Sequence, residues 1–273
     1  MPLIRTNAIE LHHTEDGAPD GPPVLLLHAL GLDHRVWDPL LPHLPPDLRL
    51  IRCDLRGHGR SAVPPAPYGM QALVHDAAGL LDALGVSDAV VVGLSLGGLV
   101  AQGLAAERPD LVAALVLSNT AAKIGTEAIW QDRADTVRDR GVAALADGIL
   151  ARWFPPRFRQ ARAAEVALWR DRLCATPAEG YAGCCAAIGH TDLFDSTARL
   201  RLPALAVAGA LDGATPADMV RETAALIPGC AFHLLPGTGH LPCVQAPEAL
   251  AALLDPFLAA HAPPAGPPPP RIL

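Results

Sequence analysis

The sequence predicts an α/β fold with a mostly parallel sheet, helices on both faces and an inserted helical cap. Apolar runs recur along the chain, and several are almost continuous in Val, Leu and Ile, which is typical of strands covered on both faces. Helix-like segments separate these runs, so the strands should be parallel and joined by right-handed crossovers. Between residues 124 and 197 helical spacing continues without a convincing strand, which predicts the insertion.

The elements follow in chain order. Strands are predicted at 9–14, 24–28, 48–53, 89–94, 113–117, 204–208 and 231–235. Helices outside the insertion are predicted at 72–84, 96–107, 217–226 and 247–261. The turn-rich segment 15–21 joins the first two strands, which predicts an antiparallel hairpin at the edge of the sheet.

Four regions result: a first core part (1–123), a helical cap (124–197), a second core part (198–262) and a Pro-rich tail (263–273). A cap inserted after a sheet strand should cover the carboxyl edge of the sheet, where open α/β sheets bind ligands. The tail is expected to be extended or disordered, without catalytic content.

Composition excludes several function classes. The 273 residues carry a net charge of −7 without a basic run, which argues against nucleic acid as a partner. We find no signal peptide and no apolar stretch long enough to span a membrane, and the six cysteines form no C-x-x-C pair, so we expect reduced thiols in a cytoplasmic protein. No metal-ligand spacing and no G-x-G-x-x-G motif occurs, so no metal and no cofactor is expected.

The segment 93–97 reads Gly-Leu-Ser-Leu-Gly between a predicted strand and a predicted helix. This is the form of a nucleophile elbow, in which Ser95 projects from a sharp turn at the carboxyl edge of the sheet. Small residues also cluster at ordinary strand–helix turns, so the motif needs a base and an acid to gain meaning. Serine is a poor nucleophile at neutral pH without a base within hydrogen-bond reach.

His240 and Asp212 are the candidates for base and acid. His240 lies among small residues after the last predicted strand, and Asp212 follows the strand at 204–208. The other position for an acid, after the preceding strand, holds Asn119, which carries no charge. The alternatives are a surface-loop histidine and an ordinary turn or N-cap aspartate.

The backbone N–H groups of Leu30 and Leu96 are the predicted oxyanion hole, because one follows the nucleophile and the other lies in the loop after the strand at 24–28. The segment 55–61, with its second histidine, could be a base or a phosphate loop, but a structural role is favoured. There Asp54 and Arg56 are expected to bind neighbouring backbone. His28 is expected to shape its loop.

The chain order Ser95, Asp212, His240 resembles that of the α/β-hydrolases. The resemblance covers about residues 5–261 and implies the α/β-hydrolase fold with a mostly parallel eight-stranded sheet. Segments 93–102, 118–125, 151–154 and 180–188 more narrowly resemble the 3-oxoadipate enol-lactonases, and the last two lie in the cap. One departure is His28-Ala29, where many family members have His-Gly.

That resemblance implies a serine hydrolase that opens the ring of 3-oxoadipate enol-lactone to 3-oxoadipate in the breakdown of aromatic compounds. This lactone carries one carboxylate, which Arg152 beside Trp153 could bind; the alternative is a snorkelling arginine next to a core tryptophan. Other functions left open are a carboxylesterase, a hydrolase of another small lactone, a cofactor-free haloperoxidase (perhydrolase) and a ligand receptor without activity. The oligomeric state stays open.

Overall fold

A computed structural model describes residues 3–263. Residues 1–2 and 264–273, and with them nearly all of the predicted Pro-rich tail, lie outside the described residues. The strands are β1 (Leu3–Thr6), β2 (Ile9–Gly17), β3 (Pro23–Leu27), β4 (Arg49–Cys53), β5 (Ala89–Leu94), β6 (Val112–Ser118), β7 (Ala204–Gly209) and β8 (Ala231–Leu235). The helices are α1 (Met70–Ala83), α2 (Leu96–Glu107), α3 (Glu127–Arg140), α4 (Ala146–Trp153), α5 (Pro156–Ala161), α6 (Ala163–Cys174), α7 (Ala178–Gly189), α8 (Phe194–Ala198), α9 (Ala217–Leu226), α10 (Pro242–Gln245) and α11 (Pro247–His261).

The eight strands form one sheet in the order β1-β2-β4-β3-β5-β6-β7-β8. From β4 through β8 the neighbouring strands pair in parallel, and only β1 and β2 pair antiparallel to their neighbours. Strand β5, Ala-Val-Val-Val-Gly-Leu, is buried along its whole length, as a central strand covered on both faces should be. The predicted mostly parallel eight-stranded sheet is therefore confirmed.

The predicted hairpin between the first two apolar strands is wrong. Strand β2 pairs with β1 and with β4, whereas β3 pairs in parallel with β4 and β5. The hairpin at this edge is β1–β2, which turns at Asn7 and Ala8, both with positive φ (45° and 63°). Such a turn usually carries Asn followed by Gly, so Ala8 gives no turn signal in the sequence. Strand β1 is also short and partly exposed, which weakens its strand signal.

Helices α3 to α8 fill the stretch between β6 and β7, and no strand occurs there. Helices α3 and α7 pack closely against each other, and their contact buries large side chains such as Trp130 and Tyr181. All six cysteines are free thiols. No helix within residues 3–263 is long and apolar enough to cross a bilayer.

Candidate active site

Ser95 occupies a strained turn between β5 and α2. Its φ of 55° lies in the left-handed region that side chains other than glycine rarely adopt. The flanking glycines are required by space: a Cβ on Gly93 would lie 2.4 Å from the Gly97 carbonyl oxygen, and one on Gly97 would lie 2.2 Å from that of Leu27. The sequence Gly-Leu-Ser-Leu-Gly thus forms the sharp turn that the motif predicts, at the carboxyl edge of the sheet.

Asp212 and His240 lie in the loops after β7 and β8, side by side. The Asp212 Oδ2 atom is 2.8 Å from Nδ1 of His240, and both side chains are buried. Because the carboxylate accepts the proton at Nδ1, the Nε2 atom of the neutral ring is left as the acceptor. Burial opposes ionisation of Asp212, but the His240 charge and the hydrogen bonds that the carboxylate accepts hold its pKa below the ordinary value.

Two further residues, which the sequence did not identify as functional, hold that carboxylate. The Asn119 amide donates to Asp212 Oδ2 (2.7 Å) and to the Gly239 carbonyl (3.2 Å), so it links the acid to the loop of the base. The Thr215 hydroxyl donates to the same Oδ2 (2.7 Å). The backbone N–H groups of Ala214 and Thr215 donate to Oδ1 (2.7 and 3.1 Å). Asp212 is therefore fixed from five sides, counting His240.

The N–H groups of Leu30 and Leu96 donate to no other group among residues 3–263. Leu96 is the first residue of α2, where backbone N–H groups lack helical partners. Leu30 lies in the loop after β3 and, with Ser95, lines the same cavity. Both groups are thus available to a ligand, as the predicted oxyanion hole requires.

Two buried histidines, His28 and His58, fix the position of the Leu30 loop through hydrogen bonds. His58 Nε2 accepts the Gly31 N–H (2.9 Å), and His28 Nε2 accepts the Leu55 N–H (2.9 Å). An accepting nitrogen carries no proton, so both rings are neutral in this arrangement. Burial is the main reason that the pKa of His58 is lowered to about 3. The contacts agree with a structural role for His28 and for the segment 55–61.

The expectation for Asp54 and Arg56 holds for only one of them. Asp54 accepts the backbone N–H groups of His34 (2.8 Å) and Arg60 (2.9 Å). The Arg56 guanidinium instead makes a two-pronged ion pair with the buried carboxylate of Asp76 on α1. A charged arginine needs an acid partner when it is buried, and α1 supplies that acid.

A cavity of about 190 Å³ joins the core residues to the cap. Ser95, His240 and Leu30 line it from the core. Helices α3 and α4 of the cap contribute five side chains: Ile129, Trp130, Arg133, Arg152 and Trp153. The Trp153 ring stacks on the His240 ring (centroids 6.2 Å apart, planes 18° apart), and the Trp153 carbonyl accepts the His240 N–H (2.9 Å). The structure thus places both predicted cap residues at the site.

Arg133 and Arg152 bring two positive charges to this cavity. No acidic side chain among residues 3–263 pairs with either guanidinium. Arg133 lies over the rings of Trp130 (5.1 Å) and Tyr181 (5.5 Å), and its Nε atom is buried without a hydrogen-bond partner. Partial desolvation and then the like charge of Arg133 lower the pKa of Arg152 from its ordinary value.

Sequence reasoning missed Trp130 and Arg133. They lie three residues apart and therefore share one face of α3. That spacing was visible, but whether this face meets the core depends on how the cap folds. No hydrogen bond joins Ser95 to His240 within the described residues, although both line the cavity; such contacts are often long before a substrate binds.

Comparison with known proteins agrees with this arrangement. A family model described as the alpha/beta hydrolase fold matches residues 22–247. Among relatives, 3-oxoadipate enol-lactonase 2 of Acinetobacter baylyi is 35% identical over 207 residues, which is 76% of this chain and 78% of that protein.

Solved structures point to the same family. The enol-lactonase from Burkholderia xenovorans LB400 is 35% identical with a TM-score of 0.92, covering 94% of this chain and all of that one. A malate-bound thermophilic esterase from Thermogutta terrifontis is 30% identical with a TM-score of 0.90, covering 96% of this chain and 99% of that one. The predicted resemblance to enol-lactonases is confirmed, and the chain belongs to the α/β-hydrolase family.

Proposed function

We propose that this hydrolase opens the ring of 3-oxoadipate enol-lactone to give 3-oxoadipate. The observation that carries the proposal is the pair of guanidinium groups, Arg133 and Arg152, that line the cavity of Ser95 and His240 without an acidic partner. Relatives named as enol-lactonases at about a third identity support the same substrate class.

The charge of the cavity argues for an anionic substrate. Arg133 is half-buried and Arg152 is largely exposed to the cavity and solvent, and a carboxylate that enters between the two guanidinium groups would offset their like charges. Guanidinium groups bind carboxylates in a planar, two-pronged geometry. The indoles of Trp130 and Trp153 add flat apolar walls that suit a small ring. A neutral ester would gain only the apolar contacts. The cap therefore favours a small ring that carries one negative charge.

In the first half of the reaction, Ser95 Oγ attacks the lactone carbonyl while His240 Nε2 takes its proton. Asp212 holds the ring of His240 and stabilises the imidazolium that forms. The N–H groups of Leu30 and Leu96 stabilise the negative oxygen of the tetrahedral intermediate. Its collapse breaks the bond between the carbonyl carbon and the ring oxygen. The leaving oxygen takes the proton from His240 as an enol, which remains attached to the acyl group.

In the second half, water attacks the Ser95 ester and gives a proton to His240, which returns it to Ser95 Oγ. The products are the free serine and a second carboxylate on the substrate chain. The enol converts to the ketone, which removes the nucleophile that could close the ring again. The net reaction consumes one lactone and one water.

The test compares kcat/KM for 3-oxoadipate enol-lactone with that for p-nitrophenyl acetate, which is a neutral and more activated ester. We expect a preference for the lactone of roughly 10–100-fold, since ion pairing with a carboxylate contributes roughly 1.5–3 kcal/mol. Equal values, or a preference for the neutral ester, would contradict the assignment.

A carboxylesterase is the second candidate, because the esterase from Thermogutta terrifontis matches 96% of the chain at a TM-score of 0.90. Preference for neutral short-chain esters would support it. A ligand receptor on the same fold is separated by a fluorophosphonate probe, which should label Ser95 in an enzyme. An unlabelled protein that still binds the lactone would support the receptor.

A further inference from the structure

A second cluster of potential ligands lies outside the cavity of Ser95. The residues are His12 on β2, His34 after the Leu30 loop, and Asp54 directly after β4. One ligand atom from each lies within 4.8 Å of the others, and all three residues have little exposed side-chain surface. They are 20 or more positions apart in the sequence, so no spacing motif could reveal them.

The contacts within the cluster are specific. His12 Nδ1 lies 2.9 Å from Asp54 Oδ2, and His34 Nδ1 lies 2.7 Å from Asp54 Oδ1. Each carboxylate oxygen also accepts one backbone N–H, Oδ1 from His34 and Oδ2 from Arg60. A metal ion that binds here would therefore have to replace only the two imidazole protons, and the backbone hydrogen bonds to Asp54 could remain.

From this geometry we propose that His12, His34 and Asp54 form a binding site for a divalent transition-metal ion, with Zn²⁺ as the reference ion. Both imidazoles and one carboxylate are ligands that Zn²⁺ prefers. Zinc–ligand bonds of about 2.0–2.2 Å separate tetrahedral ligands by roughly 3.3 Å, so the two nitrogens need to move outward by about half an ångström. The ring centroids of His12 and His34 are 5.0 Å apart, which leaves the rings on different sides of the ion.

The protonation states suit this role. Asp54 accepts four hydrogen bonds, two from imidazole Nδ1–H groups and two from backbone N–H groups, which is the pattern of an ionised carboxylate beside neutral histidines. Neutral imidazole and ionised carboxylate are the forms that bind metals. When Nδ1 binds an ion, the ring proton moves to Nε2. In His12 this atom has no hydrogen-bond partner within residues 3–263, so the shift breaks no contact.

Solvent can supply the remaining ligands. His12, His34 and Asp54 border a cavity of about 410 Å³, which can hold water molecules as further ligands. Arg35, Arg60 and Arg172 also border it, while Asp33 is paired with Arg35. These positive charges weaken the attraction for a cation, so we expect a readily exchanged ion rather than a permanent one. Since Asp54 binds the backbone of two loops, an ion there should stabilise both.

The direct experiment is a crystal of the full chain soaked in ZnCl₂, with data collected at the zinc edge. We expect an anomalous peak within about 2.0–2.3 Å of the Nδ1 atoms of His12 and His34 and of an Asp54 oxygen. A soak that places zinc only at His240 or at surface histidines overturns the proposal, and so does the absence of any peak at the cluster.

A solution experiment uses Zn²⁺ titration by calorimetry on the wild type, His34→Gln and the control His75→Gln, which changes an exposed histidine outside the cluster. We expect His34→Gln to weaken the binding by more than about 100-fold, because even the loss of an outer partner of a metal ligand costs roughly 10–100-fold. The control should bind like the wild type. Unchanged binding by His34→Gln contradicts the site.

The melting temperature gives a readout that does not depend on activity. Zn²⁺ at 100 times its dissociation constant should raise the Tm of the wild type by roughly 5–10 °C and leave that of His34→Gln unchanged. If His34→Gln does not fold, His12→Gln replaces it in both measurements. An equal rise in Tm in the variant shows that zinc acts elsewhere and overturns the proposal.

Discussion

The core and the cap meet at one cavity, but the polar groups of the core have many partners within the protein and those of the cap have few. In the core, Asp212 is held by five donors, and the loop of Leu30 is fixed by His58. In the cap, Arg133 and Arg152 have no acidic partner within residues 3–263. Groups that must keep one geometry have their hydrogen-bond partners within the protein, whereas the groups that would bind the substrate have no acidic partner in the described residues. Under the proposed function, the core carries out the chemistry and the cap recognises the charge of the substrate.

The largest expected effect belongs to the core. Ser95→Ala should lower kcat/KM by roughly 10⁴–10⁶-fold, leaving only the catalysis that binding and the oxyanion hole provide. Because the nucleophile serves every substrate, the loss should be the same for 3-oxoadipate enol-lactone and for p-nitrophenyl acetate. Steady-state kinetics with both substrates measure it. Near-normal turnover by purified Ser95→Ala would refute covalent catalysis at this residue.

A smaller effect is expected at the residues that hold the acid. Thr215→Val removes one donor to Asp212 and should lower kcat about 10-fold with little change in KM, since one hydrogen bond to a charged group is worth roughly 1.5–3 kcal/mol and the other donors remain. The loss should again be equal for both substrates. Thr197→Val is the control, because that buried hydroxyl donates to Gln102 and neither residue lines the cavity. A rise in KM for the lactone alone would place Thr215 with the cap instead.

The smallest effect concerns stability against pH, and it should arise in the core. The folded state keeps His58 neutral, with a pKa lowered to about 3, while the unfolded chain takes up a proton near pH 6.5. Stability from this residue is therefore present above pH 6.5 and is lost as the pH falls, by about 2 kcal/mol between pH 6.5 and 5. Urea denaturation at both pH values measures it.

The matched variant is His58→Gln, whose amide oxygen can still accept the Gly31 N–H without titrating. We expect it to lose about 2 kcal/mol less than the wild type over the same pH range. Identical pH dependence of stability in the wild type and the variant would contradict the claim that the His58 ring stays neutral in the folded protein.

Sequence reasoning predicted the position of residues that are neighbours in the chain or that lie at strand ends. Ser95 and Asp212 follow the buried strands β5 and β7, and His240 follows the more exposed edge strand β8. Parallel strands bring their carboxyl ends to one edge of the sheet. The mostly parallel sheet was predicted from its nearly continuous apolar strands, which are a local feature of the sequence. The catalytic roles themselves stay predictions until kinetics are measured.

It failed where the answer depends on contacts between distant segments. The pairing of β2 with β4 was missed because the short β1 and the Ala8 turn carry a weak signal. Arg133 became visible as a site residue only once α3 was packed over the core. The cluster of His12, His34 and Asp54 likewise exists only in three dimensions.

The division between core and cap is tested most directly by one ratio, kcat/KM for the lactone divided by kcat/KM for p-nitrophenyl acetate. The ratio is measured in the variants Arg133→Ala and Arg152→Ala and in the control Arg138→Ala. Arg138 lies on α3 as well but pairs with Asp135 at the surface. The account predicts that the first two variants lose roughly 10–100-fold of the ratio through the lactone alone, from the loss of a charge-assisted hydrogen bond. It also predicts that Arg138→Ala keeps the wild-type ratio. Equal losses on both substrates, or an unchanged ratio in both cap variants, would contradict it.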